Sequence, residues 1–293
     1  MSKQVGIIKL KGKLGDLSFY QAKGESYARI SGGVDRQRIL TDPKFVRTRE
    51  NNQEFGGAAT AGRSFRQINA PVLSTFASPD MGNRLVALLR TIISRGSGTR
   101  GRRSLDLLAQ KERLQGFQYR GNQSLSSRLK VPASASASAD KTELSFALNL
   151  APRWDIVPLA AASHARIAFA GFTFSPFLYD QELGKYLPAS PTEHGLFAFT
   201  YSDWLSLDDA TPQTLAPALT IAPAGTLAPD TALVVILGIQ YAQAVGLIFI
   251  PWPKRRPCQF CPFTELAANP RKHCCAEIKH LHITYFNSIV QRI

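Results

Sequence analysis

The chain has 293 residues, of which 44% are apolar and 10% aromatic, and its formal net charge is +14. The length is that of about two domains. The composition is that of a globular protein, which excludes wholesale disorder. The N-terminal sequence MSKQVGIIKLKGKLGD lacks the apolar core of a signal peptide, and all four cysteines lie between positions 258 and 275. We therefore expect the protein in a reducing compartment, either the cytoplasm or an assembled particle.

The charge is distributed unevenly along the chain. Residues 1–130 carry 24 Lys/Arg and 9 Asp/Glu, a net charge of +15, whereas residues 131–253 have a net charge of −6 and residues 254–293 one of +5. Such asymmetry predicts a polyanionic partner, either nucleic acid or an acidic protein surface. The alternative is an arginine-rich surface that serves solubility.

The first domain, residues 1–130, is predicted to begin with a small β-meander. VGIIKL, DLSFYQ and SYARI have the composition of strands, and Gly24 supplies the turn between the last two. Thr41-Asp42-Pro43 then has the pattern of a capped helix start, and apolar or small residues follow at helical spacing. These residues are Phe55, Ala58, Ala59, Gly62 and Phe65.

A second amphipathic helix is predicted around Leu85, Leu88, Leu89 and Ile92. SRGSGTRGRRS, residues 94–104, is predicted to be a flexible basic loop, and SLDLLAQKERLQGF a third helix. The Ser/Ala repeat at 131–141, where the charge changes sign, is predicted to be a linker.

Beyond the linker, residues 142–252 have the pattern of successive strands. ELSFALNL alternates apolar and polar residues, ARIAFAGFTF shifts its phase at Ala170-Gly171 as a β-bulge would, and YDQELGKY resembles a hairpin that turns at Gly184. The predicted fold class is therefore α+β: a β-meander with helices, then an antiparallel, Ig-like β-sandwich.

Residues 232–252 contain no charged side chain and are followed by PKRRP, a combination that also suits one membrane span. Gln240 and Gln243 lie near the centre, and Leu233, Val235, Leu237, Ile239 and Tyr241 alternate with the period of a strand. Two consecutive core strands are therefore favoured, and a membrane partner is not expected.

The N-terminal third resembles an uncharacterised family found widely in bacteria of the Bacteroidetes group. The resemblance is carried by KLKGKLGDLSFYQAKGESYAR, RILTDPKF and RTRENNQEFGGAATAGRSFR, within residues 1–70. It implies a short β-hairpin and helices followed by a β-rich half, and it implies no catalytic residue or cofactor. Proteins of that family end soon after a strand like LGIQYAQAVG, so the residues after about Leu247 depart from the pattern.

The tail, residues 253–293, is basic and holds all the cysteines. Cys258 and Cys261 form C-x2-C, a spacing that lets two thiolates from one turn bind one metal ion, and His273 and Cys274 complete a candidate zinc site. Because the second half is H-C-C rather than a spaced pair, two other interpretations stay open: incidental cysteines in an appended tail, and a redox role.

Basic side chains outside the tail are the other candidate site. On a mobile loop and along the first helix they could follow a phosphate backbone without reading bases, or contact an anionic protein. They are Arg36, Arg38, Lys44, Arg47, Arg49, Arg63, Arg66, Arg95, Arg100, Arg102 and Arg103.

No sequence pattern indicates an enzyme. G-x-S-x-G, Walker and Rossmann motifs are absent, Asp203, Asp208 and Asp209 have the pattern of a solvated turn, and His194 has no nucleophile beside it in sequence. We therefore expect a non-enzymatic structural protein that self-associates or docks on an anionic partner, in a virion-like or other mobile-element setting. The alternative is a sequence-tolerant nucleic-acid-binding protein, with or without zinc.

Overall fold

The computed structural model describes residues 2–22, 24–30, 33–121, 124–159, 161–222, 227–245, 248–251 and 285–291. The chain divides into two compact units, residues 1–52 (the N-terminal unit) and 53–293 (the C-terminal unit). The fold class is α+β, as the sequence predicted: an N-terminal antiparallel sheet and helices precede several further antiparallel sheets.

The N-terminal unit contains a four-stranded antiparallel sheet. Its strands are β1 (Ser2–Lys3), β2 (Gly12–Leu14), β3 (Leu17–Ala22) and β4 (Glu25–Ile30), in the order β1-β4-β3-β2. The predicted turn is present, with Gly24 at a φ of +81°. The helix α1 (Arg36–Thr41) follows, and Asp42 caps a 3-10 turn (Pro43–Phe45) that leads into α2 (Val46–Ile68), so the predicted helix start is confirmed.

The strand predicted over VGIIKL does not form. β1 and β2 lie at opposite edges of the sheet, so the residues between them must cross from one edge to the other and cannot pair. Val5, Ile7 and Ile8 are consequently exposed in the connection.

Helices come first in the rest of the chain. They are α3 (Ala70–Phe76), α4 (Met81–Ile93) and the short α5 (Lys111–Leu114), after which come β5 (Phe117–Gln118) and a 3-10 turn (Leu125–Ser127). The third predicted helix is reduced to α5, because Asp106 accepts the N–H groups of Leu108 and Ala109 in a turn and Gly116 adopts a φ of +77°.

The remaining elements are strands, with one short helix. They are β6 (Ser134–Ala137), β7 (Glu143–Leu150), α6 (Pro152–Asp155), β8 (His164–Phe174), β9 (Phe177–Asp180), β10 (Lys185–Pro188), β11 (Phe197–Tyr201), β12 (Leu205–Ser206), β13 (Gln213–Leu215), β14 (Ala218–Thr220), β15 (Ala232–Val245), β16 (Ile248–Pro251) and β17 (Tyr285–Gln291). The large sheet has the order β11-β8-β15-β17-β5, and β13 and β14 pair with β7 in a smaller one. Where the sequence predicted a linker at 131–141, β6 pairs with β7.

Both faces of β8 and β15 are buried. Ile167, Phe169, Leu233 and Val235 share one apolar core with residues of β7, which is the sandwich-like contact between two antiparallel sheets. The alternate residues form a second core with the helices; among them are Phe172, Phe174, Val234 and Ile236, packed with Phe65, Leu85 and Leu89. An Ig-like sandwich has no such helical layer on its outer face.

This double burial explains two features of the sequence. The uncharged run at 232–252 forms β15 and β16, as favoured, and no helix among the described residues combines the length and apolarity that a membrane span requires. The predicted bulge at Ala170-Gly171 is absent, since β8 pairs with β15 in unbroken register from His164 to Phe174. The apolar phase changes there because both faces are apolar.

Candidate assembly surface

The N-terminal unit exposes its apolar side chains. None of its described residues is buried, whereas the C-terminal unit has two apolar cores. We define the apolar loop as residues 4–10, in which Val5, Ile7 and Ile8 are 86%, 101% and 80% exposed. Burial of a branched apolar side chain is favourable by about 1.5–3 kcal/mol. A contact that buries all three side chains at the loop tip is therefore strongly favoured.

Gln4 closes the apolar loop at its base. Its side-chain Nε2 donates to the carbonyl oxygens of Leu10 and Tyr27, at 3.2 and 3.1 Å, and its Oε1 accepts the Leu10 N–H at 2.8 Å. Lys9 Nζ donates to the Gln4 carbonyl oxygen. The loop therefore presents its apolar tip from a fixed base.

One face of the N-terminal sheet is apolar as well. Leu14, Leu17 and Ile30 lie opposite one another in register on β2, β3 and β4, and cross-strand partners project to the same face. They are 68%, 41% and 74% exposed. Phe19, two residues along β3, lies on the same face. We call these four residues the apolar sheet face.

The opposite face of this sheet is polar and aromatic. The rings of Tyr20 and Tyr27 stack with centroids 5.8 Å apart, and the guanidinium of Arg29 lies 5.6 Å from the Tyr20 ring centroid. Lys3 forms an ion pair with Glu25. The two faces thus differ sharply in character, as in a sheet that packs one side against a partner.

The predicted basic residues of the N-terminal unit lie on α1, the 3-10 turn and the start of α2. Arg38 pairs with Asp42 and Arg47 with Glu50, while Arg49 donates to the carbonyl oxygens of Ile39 and Asp42. Arg49 is therefore a structural residue. Arg36, Arg38, Lys44 and Arg47 are exposed.

The predicted basic residues of the C-terminal unit fall into two groups. Arg63 and Arg66 are exposed on α2, and Arg66 borders an open pocket of about 500 Å³ beside α3 and α4. Arg95, Arg100 and Arg102 are exposed on the loop at 94–104, and the Arg102 guanidinium lies 5.4 Å from the Tyr179 ring centroid.

Arg103 instead points inward, and the loop at 94–104 is anchored where the sequence predicted flexibility. The Arg103 guanidinium pairs with Glu54, which is 5% exposed and also accepts the Gly101 N–H at 2.8 Å. Burial alone would raise the pKa of Glu54, but the hydrogen bonds from Arg103 and Gly101 hold that pKa below its ordinary value. Sequence reasoning missed Glu54, although it stands in helical spacing with Ala58, Ala61 and Phe65.

A serine and a histidine meet in the C-terminal unit across 130 positions of sequence. His194 Nε2 lies 2.6 Å from Ser64 Oγ, and His194 Nδ1 accepts the Ser175 N–H at 3.2 Å. His194 has no nucleophile beside it along the chain, because Ser64 lies on α2. With Nδ1 as acceptor, the ring carries its proton on Nε2 and donates to Ser64, the reverse of what a general base for that serine requires.

The candidate zinc ligands Cys258, Cys261, His273 and Cys274 lie outside the described residues. Within the part of the chain that the structure describes, no three His, Cys, Asp or Glu side chains cluster as metal ligands would. Asp209, from the acidic cluster, accepts the Thr211 N–H and the Gln213 side-chain amide within a turn.

Comparison with known proteins does not indicate a function for this surface. No protein-family model matches the chain, and no curated protein and no solved structure is significantly similar to it. The N-terminal resemblance therefore stays a prediction from its motifs, and function has to be argued from the geometry.

Proposed function

We propose that the protein is a non-enzymatic structural protein that self-associates through its N-terminal unit. The observation that carries the proposal is the pair of exposed apolar features there, the apolar loop and the apolar sheet face. Clustered apolar side chains exposed in this way mark interaction sites in soluble proteins.

The occupant we propose is a second copy of this chain. The apolar loop of one copy supplies protruding side chains, and the apolar sheet face of the next supplies a flat apolar acceptor. Such a contact joins two different patches, so it is heterologous and builds rings or filaments rather than closed dimers. The short edge strand β2, which contains Leu14, allows strand addition to extend the contact.

Charge supports association between copies. Residues 1–52 carry 11 Lys/Arg and 5 Asp/Glu, whereas residues 131–253 have a net charge of −6. Exposed acidic side chains of that segment include Glu182, Asp203 and Asp208. Opposite charges steer the encounter of copies and are screened by salt, while the apolar contact supplies the affinity.

The test is the mass of the full chain in solution across a range of protein concentrations, at low and at high salt. Growth of the mass with concentration supports the proposal, and salt is expected to slow assembly more than to abolish it. A strict monomer at the highest concentration and at both salt levels rejects it.

Nucleic-acid binding is the second candidate function. It is favoured by the exposure of Arg36, Arg63, Arg95 and Arg102, together with the other exposed basic residues of both units. Binding of single- and double-stranded DNA at low salt, with a log–log salt slope near the number of phosphates contacted, would support it. No binding at low salt would reject it without affecting the assembly proposal.

A further inference from the structure

Arg166 stands at the centre of a cluster that the assembly proposal does not use. It lies on β8 directly opposite Gln240 of β15, and its Nε donates to Gln240 Oε1 at 2.9 Å. Gln240 is 6% exposed and Arg166 is half-buried. The guanidinium is therefore held by a buried amide on two adjoining core strands.

Two aromatic rings contact the same guanidinium. Arg166 Cζ lies 3.6 Å from the ring centroid of Tyr201, the last residue of β11, and 4.5 Å from that of Trp204, which precedes β12. The negative faces of aromatic rings attract a cation and fix its plane.

The charge of Arg166 has no anionic counterpart in the described part of the chain. No carboxylate there forms an ion pair with it, and the side chain that accepts its described hydrogen bond is the neutral amide of Gln240. Burial lowers the pKa of Arg166 for the same reason, because the charged form has lost water without gaining an anion. Arg103, the other inward-facing arginine described above, is paired with Glu54.

We propose that Arg166, Gln240, Tyr201 and Trp204 form a binding site for a small oxyanion, either a carboxylate or a phosphate. A guanidinium has five N–H donors in a rigid planar fork, so the Nη1 and Nη2 groups, which Gln240 leaves unused, can donate to two oxygens of one anion. The rings hold the fork in place before the anion arrives, which reduces the ordering cost of binding.

Arg153 and Trp154 provide an internal comparison. The Arg153 guanidinium lies 5.1 Å from the Trp154 ring centroid, but both residues are exposed. An exposed arginine–tryptophan pair keeps its hydration and needs no counter-ion. The proposed site differs from it in burial, in the second ring and in the buried amide.

The experiment is calorimetric titration of the full chain with inorganic phosphate and, separately, with acetate, at constant ionic strength. We expect saturable binding of at least one anion, and the better one identifies the class of ligand. Arg166→Gln should weaken it at least about 10-fold, the equivalent of one charge-assisted hydrogen bond. Arg153→Gln should leave it unchanged.

Two results would overturn the proposal: neither anion binds the parent chain saturably, or Arg166→Gln binds as tightly as the parent. If Arg166→Gln does not fold, Arg166→Lys decides, because lysine keeps the charge but lacks the fork. Weaker binding by Arg166→Lys is expected, and equal binding contradicts the site. Assembly is not required for either readout.

Discussion

The carboxylate of Glu54 and the guanidinium of Arg103 form a bidentate ion pair. Arg103 Nε lies 2.7 Å from Glu54 Oε1, and its Nη2 lies 2.6 Å from Oε2. Arg103 Nη1 also donates to the Ser94 carbonyl oxygen. One carboxylate on α2 thus fixes a loop that is rich in glycine and arginine, and whose composition alone indicates flexibility.

Replacing Glu54 by Gln should destabilise the C-terminal unit. The change leaves an inward-facing cation without its counter-charge, and breaking a buried pair in this way costs about 3 kcal/mol. The loss should appear in the free energy of unfolding from denaturant titration. Arg102→Gln, in the same loop but exposed, is the matched control and should change stability by less than about 0.5 kcal/mol. Equal effects of the two variants would contradict the anchoring role.

Acid should destabilise the protein through His194. Burial lowers the pKa of His194 below its ordinary value of 6.5, and its ring packs against Phe174 and Phe177. The unfolded chain therefore binds a proton at a higher pH than the folded chain does. The free energy of unfolding should fall as pH drops below about 6.5, by up to about 1.4 kcal/mol per pH unit, and level off below the folded pKa.

His194→Gln removes this titration while keeping a donor toward Ser64, so it should flatten the slope between pH 7 and 5. Ser64→Ala keeps the imidazole and should keep the slope. The measurement is denaturant unfolding of the three proteins at several pH values. An unchanged slope in His194→Gln would show that another group titrates.

Gly57 and Gly56 are adjacent in α2, but their replacement by alanine should change stability differently. A Cβ at Gly57 would lie 2.6 Å from the ring of Tyr186, whereas one at Gly56 would meet no atom within 4 Å. The ring cannot yield freely, because Tyr186 Oη donates to the Arg103 carbonyl oxygen at 3.0 Å.

Gly56→Ala should stabilise the protein by up to about 1 kcal/mol through helix propensity. Gly57→Ala gains the same propensity but overpacks the site, so it should be about 1–3 kcal/mol less stable than Gly56→Ala. Thermal and denaturant unfolding of the pair measure the difference directly. Similar stabilities would mean that Tyr186 is free to move.

Local pattern and burial periodicity predicted much of the fold. The alternation along β7, the turn glycines Gly24 and Gly184 and the cap at Asp42 are all local signals, and all are confirmed. The uncharged run in β15 could be predicted as a strand because its large apolar side chains still recur at every second position of the sequence. The burial of β15 on both faces could not be predicted, since the helical layer comes from residues more than 110 positions earlier in the chain.

Several of the errors have a cause that the local sequence does not show, which is the arrangement of other segments. VGIIKL has the composition of a strand but has to cross the sheet, and the loop at 94–104 looks mobile until Glu54 is placed beside it. Ser64 and His194 meet only through the packing of α2 near the turn after β10. The sequence pattern therefore predicted a strand where the apolar loop lies, and only the structure shows that its side chains are exposed.

The most direct measurement of the central claim is the solution mass of three chains as a function of protein concentration. They are the parent, the double variant Ile7→Asp with Ile8→Asp, and a control with Leu178→Asp and Leu183→Asp, which places the same charges on exposed leucines of the C-terminal unit. We expect the parent and the control to assemble alike, and the apolar-loop variant to remain monomeric at concentrations at least about 10-fold higher. Assembly of the apolar-loop variant at the parent's concentration would contradict the account.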